Sequence, residues 1–389
     1  MSEMRLAYVT TYDATDIGNW SGLGYYIARS LENQSISLEY TGPLRQKLSL
    51  MVAAREYLYN RFLNRRYLLD REPVILKHYA YQVSAKLAGR KDIDIVFSPG
   101  TIPIAYLECD QPIVFWTDAT FAGMIDFYPT FSNMCKRTIR NGNIVEASAL
   151  KKCKLAIYSS EWAAETAKNY YKIDPSKVKV VPFGANVEHD TSFDDLREIV
   201  SSRRSNKCKL SFIALDWSRK GGNLALAVVK ELNRMGLDSE LTVIGCQPAI
   251  NEPLPKFVKC FGRLDKSKKE DLDKINRALR ESHFLILPSR ADSSPVVFSE
   301  ANSWGVPCLS TNVGGIPTVI KDGLNGKLFS KDAGVTEYCT YIVDLFADYS
   351  KYKDLALSSF NEYQSRLNWQ VAGQTVKELM TELTPIRQK

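Results

Sequence analysis

Short apolar runs recur along the whole chain, each followed by a polar, glycine-bearing stretch and then a longer segment with apolar residues at helical spacing. Apolar runs without in-out alternation fit strands buried on both faces of a parallel sheet, and the 3.6-residue periodicity between them fits covering helices. The strands predicted in the first half are Arg5–Thr11, Ser37–Tyr40, Ile93–Ser98, Ile113–Thr117, Leu155–Ser159 and Val178–Pro182. Those in the second half are Leu210–Leu215, Leu241–Gly245, Val258–Gly262, Phe284–Leu287, Cys308–Ser310 and Lys327–Phe329. Between the sets, 188–207 is polar, with acids followed by Ser-Ser-Arg-Arg-Ser, and reads as a linker. The pattern predicts two doubly wound α/β domains, 1–187 and 208–366, and an amphipathic helix in the tail 367–389.

A length of 389 residues suffices for two domains, and 45% hydrophobic with 24% charged residues is a globular composition. No stretch approaches the ~20 apolar residues of a membrane-spanning helix. The start, MSEMRLAYVTTY, runs straight into a strand without signal-peptide organisation, so a cytoplasmic protein is expected. Eight scattered cysteines, with no Cys-x-x-Cys pair and no His at ligand spacing, read as reduced core thiols. The net charge of +7 is concentrated: Arg45–Lys91 holds eleven Lys and Arg against Glu56, Asp70 and Glu72. There, KLSLMVAAREYLYNRFLNRRYLL interleaves Arg with Leu, Met, Tyr and Phe. Two readings follow: a surface for a membrane or acidic ligand, or a solvated helix packed by its apolar side on the first sheet. No aromatic-plus-basic motif of a nucleic-acid reader is present.

The chemistry concentrates between His283 and Gly326. After the strand Phe284–Leu287, the loop SRADSS carries an acid and several hydroxyls; Ser294 reads as an N-cap and Pro295 as the first helical residue. The amides of such a first turn attract an anion. Val297, Ala301 and Trp304 would form the buried stripe, with Glu300 beside it; a carboxylate there needs donors, either sugar hydroxyls or backbone amides. Upstream, Arg219-Lys220-Gly221-Gly222 follows the strand Leu210–Leu215. In the commonest doubly wound order the first and fourth strands are neighbours, which sets Arg219 and Lys220 across one crevice from Asp292 to Pro295. Two cations converging on a helix start suit a diphosphate and can neutralise a leaving nucleotide without a metal.

In the first half, Gly22 and Gly24 permit a tight turn before a helix, but the dinucleotide fingerprint is incomplete, which argues against a nicotinamide enzyme. Asp118 ends another strand, and Arg137, Arg140 and Asn141 lie on a basic helix that lines a pocket or is solvated. Asp92 and Asp94 open a strand instead of ending one, so they are discounted as a metal pair.

The spacing of Asp292 to Glu300-Ala301, then Gly305-Val306-Pro307, Gly314-Gly315-Ile316-Pro317 and Asp322-Gly323-Leu324-Asn325-Gly326, resembles glycosyltransferase family 4. Members are retaining nucleotide-sugar transferases of GT-B fold. The Ser160-Glu161-Trp162-Ala163 segment and the Asp174-Pro175 turn are similar to that family too. Departures are Asp292 for the usual first Glu, Ser293-Ser294-Pro295 for Gly-Phe-Gly, Leu215 for a strand-end Arg, and Asp118 for a His. The resemblance implies two Rossmann-like domains facing a central cleft, with the last helix crossing back to the first. It implies a metal-independent transferase with no cofactor, using a nucleotide-diphosphate sugar as co-substrate and a sugar, glycan or lipid-linked acceptor. By that resemblance Arg219, Lys220, Asp292 and Glu300 form the catalytic set. Gly22, Gly24, Asp118, Arg263, Leu264, Ser293, Ser294, Val296 and Val297 would contact the donor. Peripheral membrane contact through 45–91 is a further expected partnership. A nucleotide-sugar epimerase and a non-catalytic nucleotide-sugar-binding paralogue remain the alternatives.

Overall fold

In the computed structural model, which describes residues 4–187 and 189–383, each predicted strand forms and each pairs parallel with its neighbours. The first sheet holds β1 (Arg5–Val9), β2 (Ser37–Thr41), β3 (Ile95–Ser98), β4 (Ile113–Thr117), β5 (Leu155–Tyr158) and β6 (Val178–Val180). Its order is β2-β1-β3-β4-β5-β6. The second holds β7 (Cys208–Ile213), β8 (Ser239–Ile244), β9 (Val258–Cys260), β10 (Phe284–Leu287), β11 (Cys308–Thr311) and β12 (Gly326–Phe329), in the order β12-β11-β10-β7-β8-β9. Every residue of β3, β4, β5, β10 and β11 is buried, as continuous apolar runs covered by helices on both faces require. The outer strands β2, β6 and β9 keep partly or fully exposed positions.

Each sheet has a point where strand order reverses: between β1 and β3 in the first, between β7 and β10 in the second. Ligands of doubly wound sheets bind outside the carboxyl ends of the strands at such points. The expected neighbourhood of the first and fourth strands of the second set is therefore observed.

The chain divides into two compact units, Phe183–Val371 and the remainder on either side of it. The stretch expected as a linker starts at Glu188, which lies outside the described residues, and is not simply a connector. Phe193–Ser202 is a helix opened by a capping box between Ser192 and Asp195, and it buries Leu196, Ile199 and Val200 in the second unit. Its apolar positions at i, i+3 and i+4 were diluted by acids and serines, so polarity masked the period. The last helix, Trp369–Thr381, buries Ala372, Val376 and Met380. From Ala372 on it belongs to the first unit. Gly373 lets it approach the Ser30 carbonyl, from which an added Cβ would stand 2.4 Å, and Lys377 Nζ donates to the Gln34 carbonyl at 2.7 Å. Residues 384–389 of the expected tail lie outside the described residues.

The basic stretch splits in two. The helix Pro73–Leu87 packs Ile75, Leu76, Tyr79, Ala80, Val83 and Leu87 into the core. The helix Leu50–Tyr57, continued by a π-helical turn Leu58–Phe62, buries only Val52. The expectation that this segment packs by its apolar side is thus corrected: Leu50, Met51, Tyr57, Leu58 and Phe62 face outward. Among the described residues no helix is long and apolar enough to cross a membrane.

Candidate active site

The loop after β7 and the loop after β10 are built against each other. Gly221 has φ +77°, and a Cβ on it would stand 2.1 Å from the Pro288 carbonyl oxygen, so only glycine admits this approach. The Arg290 amide donates to the Arg219 carbonyl and the Arg219 guanidinium to the Ala291 carbonyl, both at 2.8 Å. Beside them Lys220 Nζ donates to Asp292 Oδ2, with side chains only 11% and 9% exposed. Asp292 is fixed in turn by the Gly315 amide, which donates to its carbonyl at 2.9 Å. Arg219, Lys220, Asp292 and buried Ser293 therefore come together at the β7/β10 reversal. A nearly buried ion pair adds little net stability, yet removing one partner strands the other charge at a cost of about 3–5 kcal/mol.

The following helix is Val296–Asn302, with Pro295 in the capping position and no side-chain cap. The expected Ser294 cap with Pro295 as first helical residue is corrected by this start. Phe298, not half-buried Val297, faces the core with Ala301. Ser294 and Val296 are half-buried at the same loop. Glu300 is 3% exposed, and its carboxylate receives a hydrogen bond from Lys266 Nζ. Lys266 lies in the loop after β9, beyond exposed Arg263 and half-buried Leu264. Sequence reasoning missed it for a geometric reason. In the sheet β9 is three strand spacings from β10, roughly 14 Å, so nothing in local spacing links Lys266 to Glu300. The available signal was that both follow carboxyl ends of strands in one sheet.

In the first unit, Trp20, Ser21 and Gly22 take φ values of 46°, 54° and 82° in succession. For the first two this left-handed backbone is strained. Gly24 is the second residue of the helix Leu23–Glu32 and not part of the turn. Its carbonyl accepts from the Tyr8 hydroxyl at 2.7 Å, and a Cβ on it would meet the Tyr12 hydroxyl at 2.4 Å. The Tyr12 hydroxyl is buried without a hydrogen-bond partner; burial first, and then the Asp118 carboxylate, push its pKa above the ordinary value. Asp118 itself is half-buried.

Arg137 and Asn141 do not line a pocket or a solvated face as expected. They close on buried Glu72, Arg137 through Nε at 2.6 Å and Nη2 at 3.0 Å, Asn141 at 3.2 Å, with the Tyr67 hydroxyl donating at 2.6 Å. Only Arg140 is exposed. Glu146 is a second buried carboxylate in this unit. Burial pushes it up to about 7, although the Thr101 hydroxyl donates to its Oε2 at 2.7 Å. Asp92 pairs with Arg5 and Arg90. Among the described residues no three His, Cys, Asp or Glu side chains gather as a metal-ligand set.

Residues 208–348 match the family model described as "Glycosyl transferases group 1". A UDP-Gal:alpha-D-GlcNAc-diphosphoundecaprenol alpha-1,3-galactosyltransferase of Escherichia coli is 25% identical over 167 residues, 40% of this chain and 42% of the relative. The chain thus spans less than half the length of that relative in the alignment. Two solved structures share the fold over 98% of the chain: sucrose-phosphate synthase from Thermosynechococcus elongatus, with a TM-score of 0.67 at 12% identity over 99% of that chain, and Anabaena Alr3699/HepE in complex with UDP-glucose, at 0.62 and 14% over 100%.

Proposed function

We propose, for a chain that is a GT-B glycosyltransferase family 4-like protein, that it moves a sugar from a nucleotide-diphosphate sugar to a hydroxyl acceptor, with retention at the anomeric carbon and without a metal. The observation that carries this reading is the convergence of Arg219 and Lys220 with Asp292 at the β7/β10 reversal. Lys220 has an internal carboxylate partner there, and a donor diphosphate would exchange for it. As the bond from the anomeric carbon to the departing phosphate oxygen breaks, negative charge grows on the nucleoside diphosphate. The Lys220 ammonium and the Arg219 guanidinium meet that charge inside a protected loop, where fixed charges act more strongly than in water.

The acceptor oxygen would bond to the anomeric carbon on the face the phosphate leaves, and its proton would pass to the departing phosphate oxygen. That route needs no strong protein base. Asp292, released from Lys220, is then able to accept from donor-sugar hydroxyls, and Glu300 from ribose hydroxyls, with Lys266 balancing its charge. The backbone near Arg263 and Leu264 would hold the base, and Gly22, Gly24 and Asp118 would meet the sugar or acceptor. The galactosyltransferase activity for which the Escherichia coli relative is named and the UDP-glucose of the Anabaena structure support a nucleotide-sugar donor and a sugar or lipid-linked acceptor.

The test is a thermal-shift screen against nucleoside diphosphates and their sugars, followed by transfer assays with the donor that stabilises most. The reading expects saturable stabilisation and product formation that Lys220→Ala or Glu300→Gln strongly reduces. Unimpaired transfer by both variants would remove the assigned roles. Epimerised donor in the absence of acceptor, or binding without turnover across the panel, would replace transfer with epimerisation or a non-catalytic role.

A further inference from the structure

Of the sixteen large hydrophobic side chains exposed among the described residues, seven fall within Leu48–Leu63. Scattered exposed leucines are ordinary, but a cluster of this density on one short segment is not. Leu50 is 92% exposed, Phe62 68%, and Met51 and Tyr57 62% each. Leu50, Ala54, Tyr57, Leu58 and Arg61 recur at helical spacing and share the outward face. The opposite side is anchored: Val52 joins the core, and Tyr59 stacks on buried Tyr67 with ring centroids 5.5 Å apart. Ser49 caps the start, and Arg65 bonds Asn133 Oδ1 at 2.6 Å beyond the end. The apolar face is therefore held outward by fixed contacts.

Charge decides what covers it. From Arg45 to Arg66 there are six cations and one acid, Glu56, which is half-buried. Arg45, Lys47, Arg61 and Arg66 are exposed around the apolar side chains. A second copy of the chain would bring the same excess positive charge to the same face, which disfavours self-association. An anionic bilayer offers both complements: headgroups for the cations and an acyl boundary for Leu and Phe. Thirteen helical residues span roughly 20 Å, which suits a helix lying in the interface and not one crossing it. Next to this face, Asn60, Asn64, Arg65, Arg66, Asp126 and Asn133 line a polar cavity of about 590 Å³, large enough for a lipid headgroup.

We infer that the face formed by 48–66 docks the protein on a bilayer bearing anionic headgroups, independently of the nucleotide chemistry proposed above. The experiment is co-sedimentation of the full chain with vesicles of phosphatidylcholine alone and with vesicles in which about a third is phosphatidylglycerol. The wild type is expected to pellet with the anionic vesicles only and to be released by salt. Leu50→Ser/Phe62→Ser should weaken that partition at least about tenfold, and Lys47→Gln/Arg61→Gln should remove the preference for anionic lipid. Both changes are at exposed positions, and circular dichroism with an unchanged melting temperature checks the fold. Wild type remaining in the supernatant with anionic vesicles, or equal partition of all variants, overturns the inference. So does light scattering that finds a dimer which the Leu50→Ser/Phe62→Ser change makes monomeric, since the face would then belong to a second copy.

Discussion

The strand ends of the two sheets obey one topological rule and carry opposite chemistry. At the β7/β10 reversal the loops present Arg219, Lys220 and Asp292, and nearby Glu300 is held by Lys266. After β1 and β4 of the first sheet, the loops present a strained turn, the Tyr12 hydroxyl and, with no Lys or Arg in the same loops, exposed Asp13 and Asp16 and half-buried Asp118. The family-model match covers 208–348 and so falls on the cationic side alone. A charged ligand demands counter-charges at fixed places, and these read clearly in a sequence. A neutral, variable one can be met by shape and hydroxyls, which leave a fainter trace.

The largest expected effect sharpens that contrast. Lys220→Ala should lower turnover about a hundredfold or more, measured with a confirmed donor. It also strands Asp292, so Lys220→Met/Asp292→Leu should recover melting temperature without recovering transfer. The first unit is probed next, through Glu146. Its folded pKa of about 7 lies above the ordinary 4.5, so below about 4.5 both states hold the proton and above about 7 both have lost it. Between these values the folded state retains a proton that the unfolded state releases, and stability falls as pH rises. Glu146→Gln should flatten that slope, gaining on the parent by up to roughly 3 kcal/mol between pH 4.5 and 7 in urea melts. A pH-independent difference would mean that Glu146 ionises normally.

Smaller effects test shape. Gly221→Ala must push on the Pro288 carbonyl, whereas Gly236→Ala, also at positive φ, meets nothing within 4 Å. The first should cost roughly 2 kcal/mol more than the second, which carries backbone strain alone. Equal costs would mean that the β7 and β10 loops separate easily. The smallest change is expected from Asp118→Asn, which keeps a hydrogen-bonding side chain and should alter kcat/KM by less than about tenfold. A loss as large as that of Lys220→Ala would erase the distinction between the two edges.

The strands were legible because continuous apolar runs are forced by burial on both faces, and Phe284–Leu287 is the clearest example. The meeting of Lys220 with Asp292 followed from strand order alone. What escaped depended on tertiary context. Phe193–Ser202 looked like connector because its buried residues were few. Lys266 reaches Glu300 across strands distant in the sheet. Arg137 and Asn141 looked available until Glu72, about seventy residues upstream, was seen to claim them. In Leu50–Phe62 the amphipathic period was visible, but which side faced the core rested on Val52 and Tyr59 and could not be read locally.

The helix that closes the first unit is made only after the second unit. During synthesis the ribosome releases all of Phe183–Val371 before Ala372, Val376 and Met380 become available to cover the surface around Ser30 and Gln34. The earlier-made half therefore waits, with an apolar seam uncovered, for the later-made half to be translated. Exchanging the two halves between related chains as simple blocks would leave that seam with a foreign closing piece, so a working chimera must carry its own last helix along with its first half.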